Sequence, residues 1–391
     1  MKKINVLLIG GPIDNNLGGP SIVSSLKQLI PEVLPDAEIS VLSFWRSSYQ
    51  VSENFTELPF SPVTFLKLCL TKKLMPLRKL FSLYKQSDVI IDYWGLMFTD
   101  AKKRTLMMRL LEGFPMFLGK IFGKVVIKYT ADFGPFYTSV NKKVAKFYLN
   151  HVDFVIARSK TSSDSLKKLN IKTPIIICPD TALILKADNA LPEEVAPLNL
   201  DNLICLSVSH VAERKAGHDN YIKQMAQLCD YLVNSVQTDI LIVPNEIAPE
   251  KPELDDVRVA HEIAEAVQSK SQVAVFDKTF TAPQLKGIIA KSKIVIASRY
   301  HTVVAALSSG VPTVSLSWHE KYRDLMSLFG QQEHVCDLET CDFDTLTSAI
   351  MNVWENRSGI RNEINEHIPE VKKSVRYGAE QAKNIILNSI Q

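Results

Sequence analysis

The 391-residue chain lacks any run of about 18 consecutive apolar residues, the length a helix needs to cross a bilayer. Its longest apolar candidate, FPMFLGKIFGKVVI, is interrupted by Lys120 and Lys124, so no membrane-spanning helix is predicted. Metal-ligand spacing is missing too. The six cysteines (69, 178, 205, 229, 336 and 341) form no C-x-x-C pair and no Cys/His cluster, which argues against structural zinc and fits a reduced, cytoplasmic setting. The start MKKINVLLIGG has the basic opening of a signal peptide, but its apolar run is only Val6 to Ile9 before Gly-Gly-Pro, and it reads as a first strand. With a net charge of +3 and no recognition motif beside the charge, nucleic acid is not an expected partner.

What is present is an ordinary globular composition, 46% apolar and 22% charged, long enough for two domains. Strand-like runs near 5–10, 38–43, 88–92, 124–130, 153–158 and 174–178 alternate with helix-length segments. The stretch KADNALPEEVAPLNL is rich in Pro, Ala and acids without periodicity, and places a linker over 187–200. After it the alternation restarts, with strands near 202–208, 239–243, 272–276, 293–297 and 313–316; the region 343–391 lacks strands and reads as helices. The expected fold class is α/β, two doubly wound Rossmann-like domains facing a cleft, similar to the GT-B glycosyltransferase architecture, with C-terminal helices. The expected boundaries are 1–186, the linker, 201–372, and a final helix at 373–391 that packs back on the first domain.

In a parallel sheet, ligands bind beyond the carboxyl ends of the strands, which directs attention to the loops there. The stretch KSKIVIASRYHTVVAALSSGVP is a strand, a turn, a helix and a second strand start, and it puts Arg299 and His301 on that rim at a helix N-terminus, where an anion is favoured. Taken singly, Arg299 also fits a surface-turn cap and His301 a core-edge imidazole. Other rim loops carry Asn15 and Asn16 as neutral hydrogen-bonding groups, Asp92, Asp132, Arg158, and His210 after the first strand of the second half. Isolated rim aspartates are also common loop caps.

Taken in order, NNLGGPSIVSSL, DVIIDYWG, DFGPF, ARSKTSSDSL, LIVPNEIAPEKPELDDVRVAHEIAEAV and above all SRYHTVVAALSSGVPTVSLSWHEKYRDLMSLFG resemble the polysaccharide pyruvyl transferase family over nearly the whole chain. The resemblance implies an enzyme that moves a pyruvyl unit from phosphoenolpyruvate to a sugar of a surface or secreted polysaccharide, or of its lipid-linked precursor, commonly as a ketal. It implies no cofactor beyond phosphoenolpyruvate as donor substrate, and no metal. The first domain then takes the acceptor and the second the donor. Such a donor carries a carboxylate and a phosphate, so Arg158, Arg299 and Lys321 are the expected anion partners. His301 is the expected acid or base, with Asp92 and Asp132 orienting or deprotonating acceptor hydroxyls. Departures from the family pattern are Asp92-Tyr93-Trp94-Gly95 in place of a Gly-rich turn, and Ser159 after Arg158 in place of an acid.

Two rival readings use the same cleft: an inverting glycosyltransferase with a nucleotide sugar, and a non-catalytic binder of a sugar or lipid head group. The Ala305-Ala306 pair stands where retaining glycosyltransferases commonly carry glutamates. Finally, residues 58–131 hold thirteen Lys or Arg against four acids, a local charge of +9, with aromatic and aliphatic residues interleaved around 63–85. This predicts peripheral contact with an anionic membrane at its inner face, the alternative being a solvated helix face.

Overall fold

Short β-branched runs such as NVLLIG, FVIA and IVIA are buried on both sides, as strands of a parallel sheet covered by helices must be. The computed structural model describes residues 3–11, 16–43, 55–57, 75–100, 104–188, 202–277 and 280–390. Its described residues divide between two compact units, one comprising 1–14, 22–181 and 373–391, the other 15–21 and 182–372.

In the first unit, β1 (Ile4–Gly10), β2 (Ala37–Ser43), β3 (Phe55–Glu57), β4 (Val89–Asp92), β5 (Leu96–Met97), β6 (Val125–Phe133), β7 (Phe154–Ala157) and β8 (Ile175–Ile177) form a parallel sheet in the order β3-β2-β1-β4-β6-β7-β8, with β5 pairing β6. The helices are α1 (Gly18–Val33, whose residues through 21 belong to the second unit), α2 (Met75–Gln86), α3 (Leu106–Ile121), α4 (Ser139–Leu149) and α5 (Lys160–Lys168). Leu7, Ile9, Ile90, Val126 and Val155 are fully buried at the centre. Strand order reverses between β1 and β4, and there the chain passes close to itself. A Cβ on Gly10 would lie 2.8 Å from the Tyr93 ring, whose hydroxyl donates to Gly11 O.

In the second unit, β9 (Leu203–Ser207), β10 (Asp239–Ile242), β11 (Val273–Val275), β12 (Ile294–Ala297), β13 (Thr313–Ser317) and β14 (Val335–Asp337) form a parallel sheet ordered β11-β10-β9-β12-β13-β14. Its helices are α6 (His210–Ala216), α7 (His218–Val236), α8 (Asp256–Ala266), α9 (Ala282–Lys291), α10 (Tyr300–Leu307), α11 (Lys321–Ser327) and α12 (Phe343–Glu355). The reversal falls between β9 and β12, the strands that carry His210 and Arg299 just beyond their ends.

A last helix, α13 (Arg357–Ile390), contributes residues through 372 to the second unit and the rest to the first. In the first unit Gly378 lies so close to Cys178 that any side chain there would strike the sulfur, and burial pushes that thiol up to about 12. Three short strands, β3, β5 and β14, fall outside the runs read from the sequence. Among the described residues no helix is long and apolar enough to cross a membrane.

Candidate active site

The second unit builds its site around one buried carboxylate. Asp256 opens α8, where Asp255 caps the helix, and is fully buried. Its Oδ2 accepts Arg299 Nε at 2.7 Å and the backbone N–H groups of Glu246 (2.9 Å) and Asn245 (3.2 Å). Its Oδ1 accepts Arg299 Nη2 and the backbone N–H of His210 (2.9 Å). The arrangement is a bidentate guanidinium–carboxylate fork, tied to three separate loops.

Arg299 engages all three of its nitrogens: Nη1 lies 3.0 Å from Glu246 Oε2, and Nη2 2.8 Å from His210 Nδ1. Burial works against both charges of the pair, but each partner outweighs it, so the Asp256 carboxyl lies below and the Arg299 guanidinium above its ordinary value. The sequence placed Arg299 in direct contact with a bound anion. The structure gives its fork to Asp256 and Glu246, so Arg299 fixes the rim on which α10 starts. His210, expected to reach a ligand, is likewise 4% exposed and turned onto Asp256.

The same cluster holds the first loop. Asn16 Nδ2 donates to Glu246 (3.3 Å), its Oδ1 accepts from Asn245 Nδ2 (3.4 Å) and Gly18 N (3.0 Å), and Leu17 N donates to Asn245 O (3.0 Å). Asn15 lies outside the described residues. Gly18 packs so tightly on His301 that a Cβ there would run into the imidazole. His301 sits half-buried in the first turn of α10, edge-on to Tyr300 (5.4 Å, 83°), and with Ser21, Asn245 and Lys286 lines a cavity of about 10 Å³, room for one water. Lys286 is 4% exposed and donates to Ser308 Oγ at 2.7 Å; burial, and secondarily the charge of Lys372, lower it to about 7.

Lys321, at the start of α11, stands over an aromatic cage, its Nζ 4.8 Å from the Trp318 ring centre, 5.1 Å from Tyr300 and 5.6 Å from Tyr322. Trp318 Nε1 and the Tyr322 hydroxyl both donate to Ser298 O, which locks the cage to the β12 end. The unit thus joins Asn16, His210, Arg299, His301 and Lys321 around the ends of β9 and β12. Sequence reading missed Asp256, Glu246 and the cage. The paired Asp255-Asp256 before an amphipathic segment was the available signal.

In the first unit, Asp92 is buried with Lys128, Oδ1 to Nζ at 2.6 Å, and Lys128 also donates to Trp94 O at 2.7 Å. Burial lowers the Lys128 pKa, with Asp92 opposing it. Arg158 binds Asp132 through Nε (3.0 Å) and Nη2 and Asp180 through Nη1 (2.6 Å), and Ser162 Oγ donates to Asp132 (3.0 Å). Both rim aspartates are therefore paired with buried cations, an arrangement suited to fixing loops rather than taking a proton from a hydroxyl. Arg158, expected on an anion, has its fork on Asp132. Among the described residues, Glu213, His218 and Glu262 have metal-ligand proximity, but Arg258 donates to both glutamates (2.6 and 2.9 Å) and occupies at least one oxygen of each.

The polysaccharide pyruvyl transferase family model matches residues 16–320. The amylovoran biosynthesis protein AmsJ of Erwinia amylovora is 20% identical, over 92% of this chain and 94% of its own. Among solved structures, a putative UDP-N-acetylglucosamine 2-epimerase from Listeria monocytogenes superposes with a TM-score of 0.62 (15% identity, 100% of this chain and 96% of that one). Anabaena HepE in complex with UDP does so at 0.60 (15% identity, 99% and 100%). These likenesses show the fold, of the GT-B type.

Proposed function

Because the chain belongs to the polysaccharide pyruvyl transferase family, we propose that it transfers a pyruvyl unit from phosphoenolpyruvate to a sugar of an exopolysaccharide or its lipid-linked precursor, forming a ketal. The observation that carries this reading is the rim of the second unit. The Asp256–Arg299–Glu246 lock seats the start of α10, where His301 and Lys321 each approach the Tyr300 ring at the helix N-terminus. A carboxylate or phosphate is favoured there by the helix dipole and by the Lys321 ammonium.

In this reading His301 moves the proton that ketal formation demands, from a sugar hydroxyl or to the enol carbon, and Lys321 offsets charge on the departing phosphate. Gly18, itself held by Asn16, packs against the imidazole. Arg299, Asp92, Asp132 and Arg158 are positioning residues, since each spends its charge inside the fold. The AmsJ likeness supports an exopolysaccharide product.

The competing reading is a nucleotide-sugar enzyme, favoured by the likeness to a fold relative solved with UDP. Calorimetric titration separates them. Phosphoenolpyruvate should bind, and Lys321→Ala should weaken it by about 1.5–3 kcal/mol, the range for a hydrogen bond to a charged group. Tight binding of UDP-sugars with none of phosphoenolpyruvate would select the competitor.

A further inference from the structure

On α3 four apolar side chains in five positions face solvent: Leu106 is 54% exposed, Met107 58%, Met108 53% and Leu110 40%. Tyr137, Val140 and Phe147, before and on α4, are exposed as well. These are neighbours. Asp100 accepts the backbone N–H groups of Tyr137 (2.7 Å) and Thr138 (2.8 Å) and pairs with Arg109 at 2.5 Å, joining the starts of α3 and α4. Further along, Phe117 packs on Phe147 (5.2 Å), and Phe81 of α2 meets Phe122 just past α3 (5.7 Å). Single exposed apolar residues are ordinary, whereas a contiguous group on adjoining helices marks a surface that another phase or molecule covers.

The charge around the group has one sign. Arg78, Lys79 and Lys85 on α2 and Lys142, Lys143 and Lys146 on α4 are all exposed. The three helices contain a single acid, Glu112, which is buried and paired with Arg104 at 2.7 Å. A second copy of the chain would bring lysine against lysine across a two-fold axis. An anionic bilayer accepts both features, apolar side chains into the acyl boundary and cations onto phosphates.

We propose that the α2–α4 face docks this protein on an anionic membrane, with Leu106, Met107, Met108 and Leu110 inserted and the six cations on lipid head groups. This docking surface keeps Arg78, Lys79 and Lys85 of the 63–85 segment singled out by sequence, whose residues 63–74 lie outside the described ones, and adds α3 and α4. Because α3 follows β5 and α4 follows β6, their N-termini stand at the carboxyl rim of the first sheet, the end that carries Trp94 and Asp132. Docking there brings that rim to the bilayer, where a lipid-linked sugar would be reached. This last link rests on the pyruvyl-transfer reading, while the docking itself does not.

The test is co-sedimentation of the full chain with vesicles of phosphatidylcholine alone and of phosphatidylcholine mixed with phosphatidylglycerol. Binding to the mixed vesicles at low salt, released by salt, is expected. Lys142→Gln/Lys143→Gln/Lys146→Gln should lower the partition coefficient about a hundredfold, and Met107→Gln/Met108→Gln/Leu110→Gln about tenfold or more. All six positions are exposed, and circular dichroism checks that the variants keep their fold. No binding to either vesicle, or binding that ignores both sets of changes, overturns the proposal. So does an apolar variant that merely converts a dimer to a monomer in sedimentation velocity, which assigns the face to a second copy. Phosphoenolpyruvate binding is measured without vesicles, so failure of one reading leaves the other standing.

Discussion

Replacing Asp256 with Ala removes the carboxylate that the backbones of two loops and a buried arginine share. Arg299 is 7% exposed and keeps only Glu246 as a charge partner after the change, while the backbone N–H groups of His210, Asn245 and Glu246 lose their acceptor. Breaking a buried pair by deleting one member costs about 3–5 kcal/mol, a large share of the roughly 5–15 kcal/mol that holds a typical protein folded. Arg299→Met should cost less, because the Asp256 carboxylate would retain its three backbone donors. In the double variant Asp256→Ala/Arg299→Met no charge of the pair remains, so its cost should fall short of the sum of the singles by about 2 kcal/mol. Urea unfolding followed by circular dichroism reads all three. The sign with pH is also fixed: the Asp256 carboxyl is depressed, so its stabilising contribution is present above its ordinary value of 3.8 and lost as pH falls through the folded-state value. The difference between wild type and Asp256→Ala should therefore be flat from pH 5 to 8 (about one unit clear of that window) and shrink only in acid. An Asp256→Ala cost below about 1 kcal/mol, or strict additivity, would refute the idea that this pair organises the rim.

Three further outcomes follow from the same geometry. His301→Ala should keep the fold and lose roughly 10²–10⁴ in turnover, read by phosphate release from phosphoenolpyruvate with acceptor present; full turnover would make the histidine structural. Gly18→Ala forces a methyl into the His301 imidazole and should lower turnover with little change in thermal midpoint, so unchanged kinetics would show that the imidazole has room to move. Lys286 is lowered to about 7, so the unfolded chain binds its proton more strongly and stability should rise with pH from about 7 towards its ordinary 10.5; Lys286→Met should flatten that rise in thermal scans.

The sheets were readable because their strands are continuous apolar runs bounded by turn residues, and the switch-point rule then pointed to the loops after β9 and β12. That placed Arg299 and His301 on the rim. It did not reveal what Arg299 does there, since its partner Asp256 lies 43 positions away and only the parallel packing of β10 against β9 brings α8 to it. The same limit applies to Asp92 and Asp132, which look like available carboxylates in sequence and are paired with Lys128 and Arg158 in the fold. Likewise the cage around Lys321 combines Tyr300 with Trp318 and Tyr322, beyond the intervening strand β13, a contact no local pattern encodes. The exposed end of α3 is hidden for the opposite reason: LMMRLL has five apolar residues in six, and only the packed structure shows which of its side chains remain outside.

The most direct measurement of the central claim is the proton NMR spectrum of exopolysaccharide from source cells whose chromosomal copy has been deleted and then restored on a plasmid. Restoring the wild-type chain should return the methyl signal of a pyruvate ketal, and restoring His301→Ala at equal protein level should not. Polysaccharide that carries the ketal in the deletion strain, or lacks it in the wild type while losing a sugar residue on deletion, would contradict pyruvyl transfer.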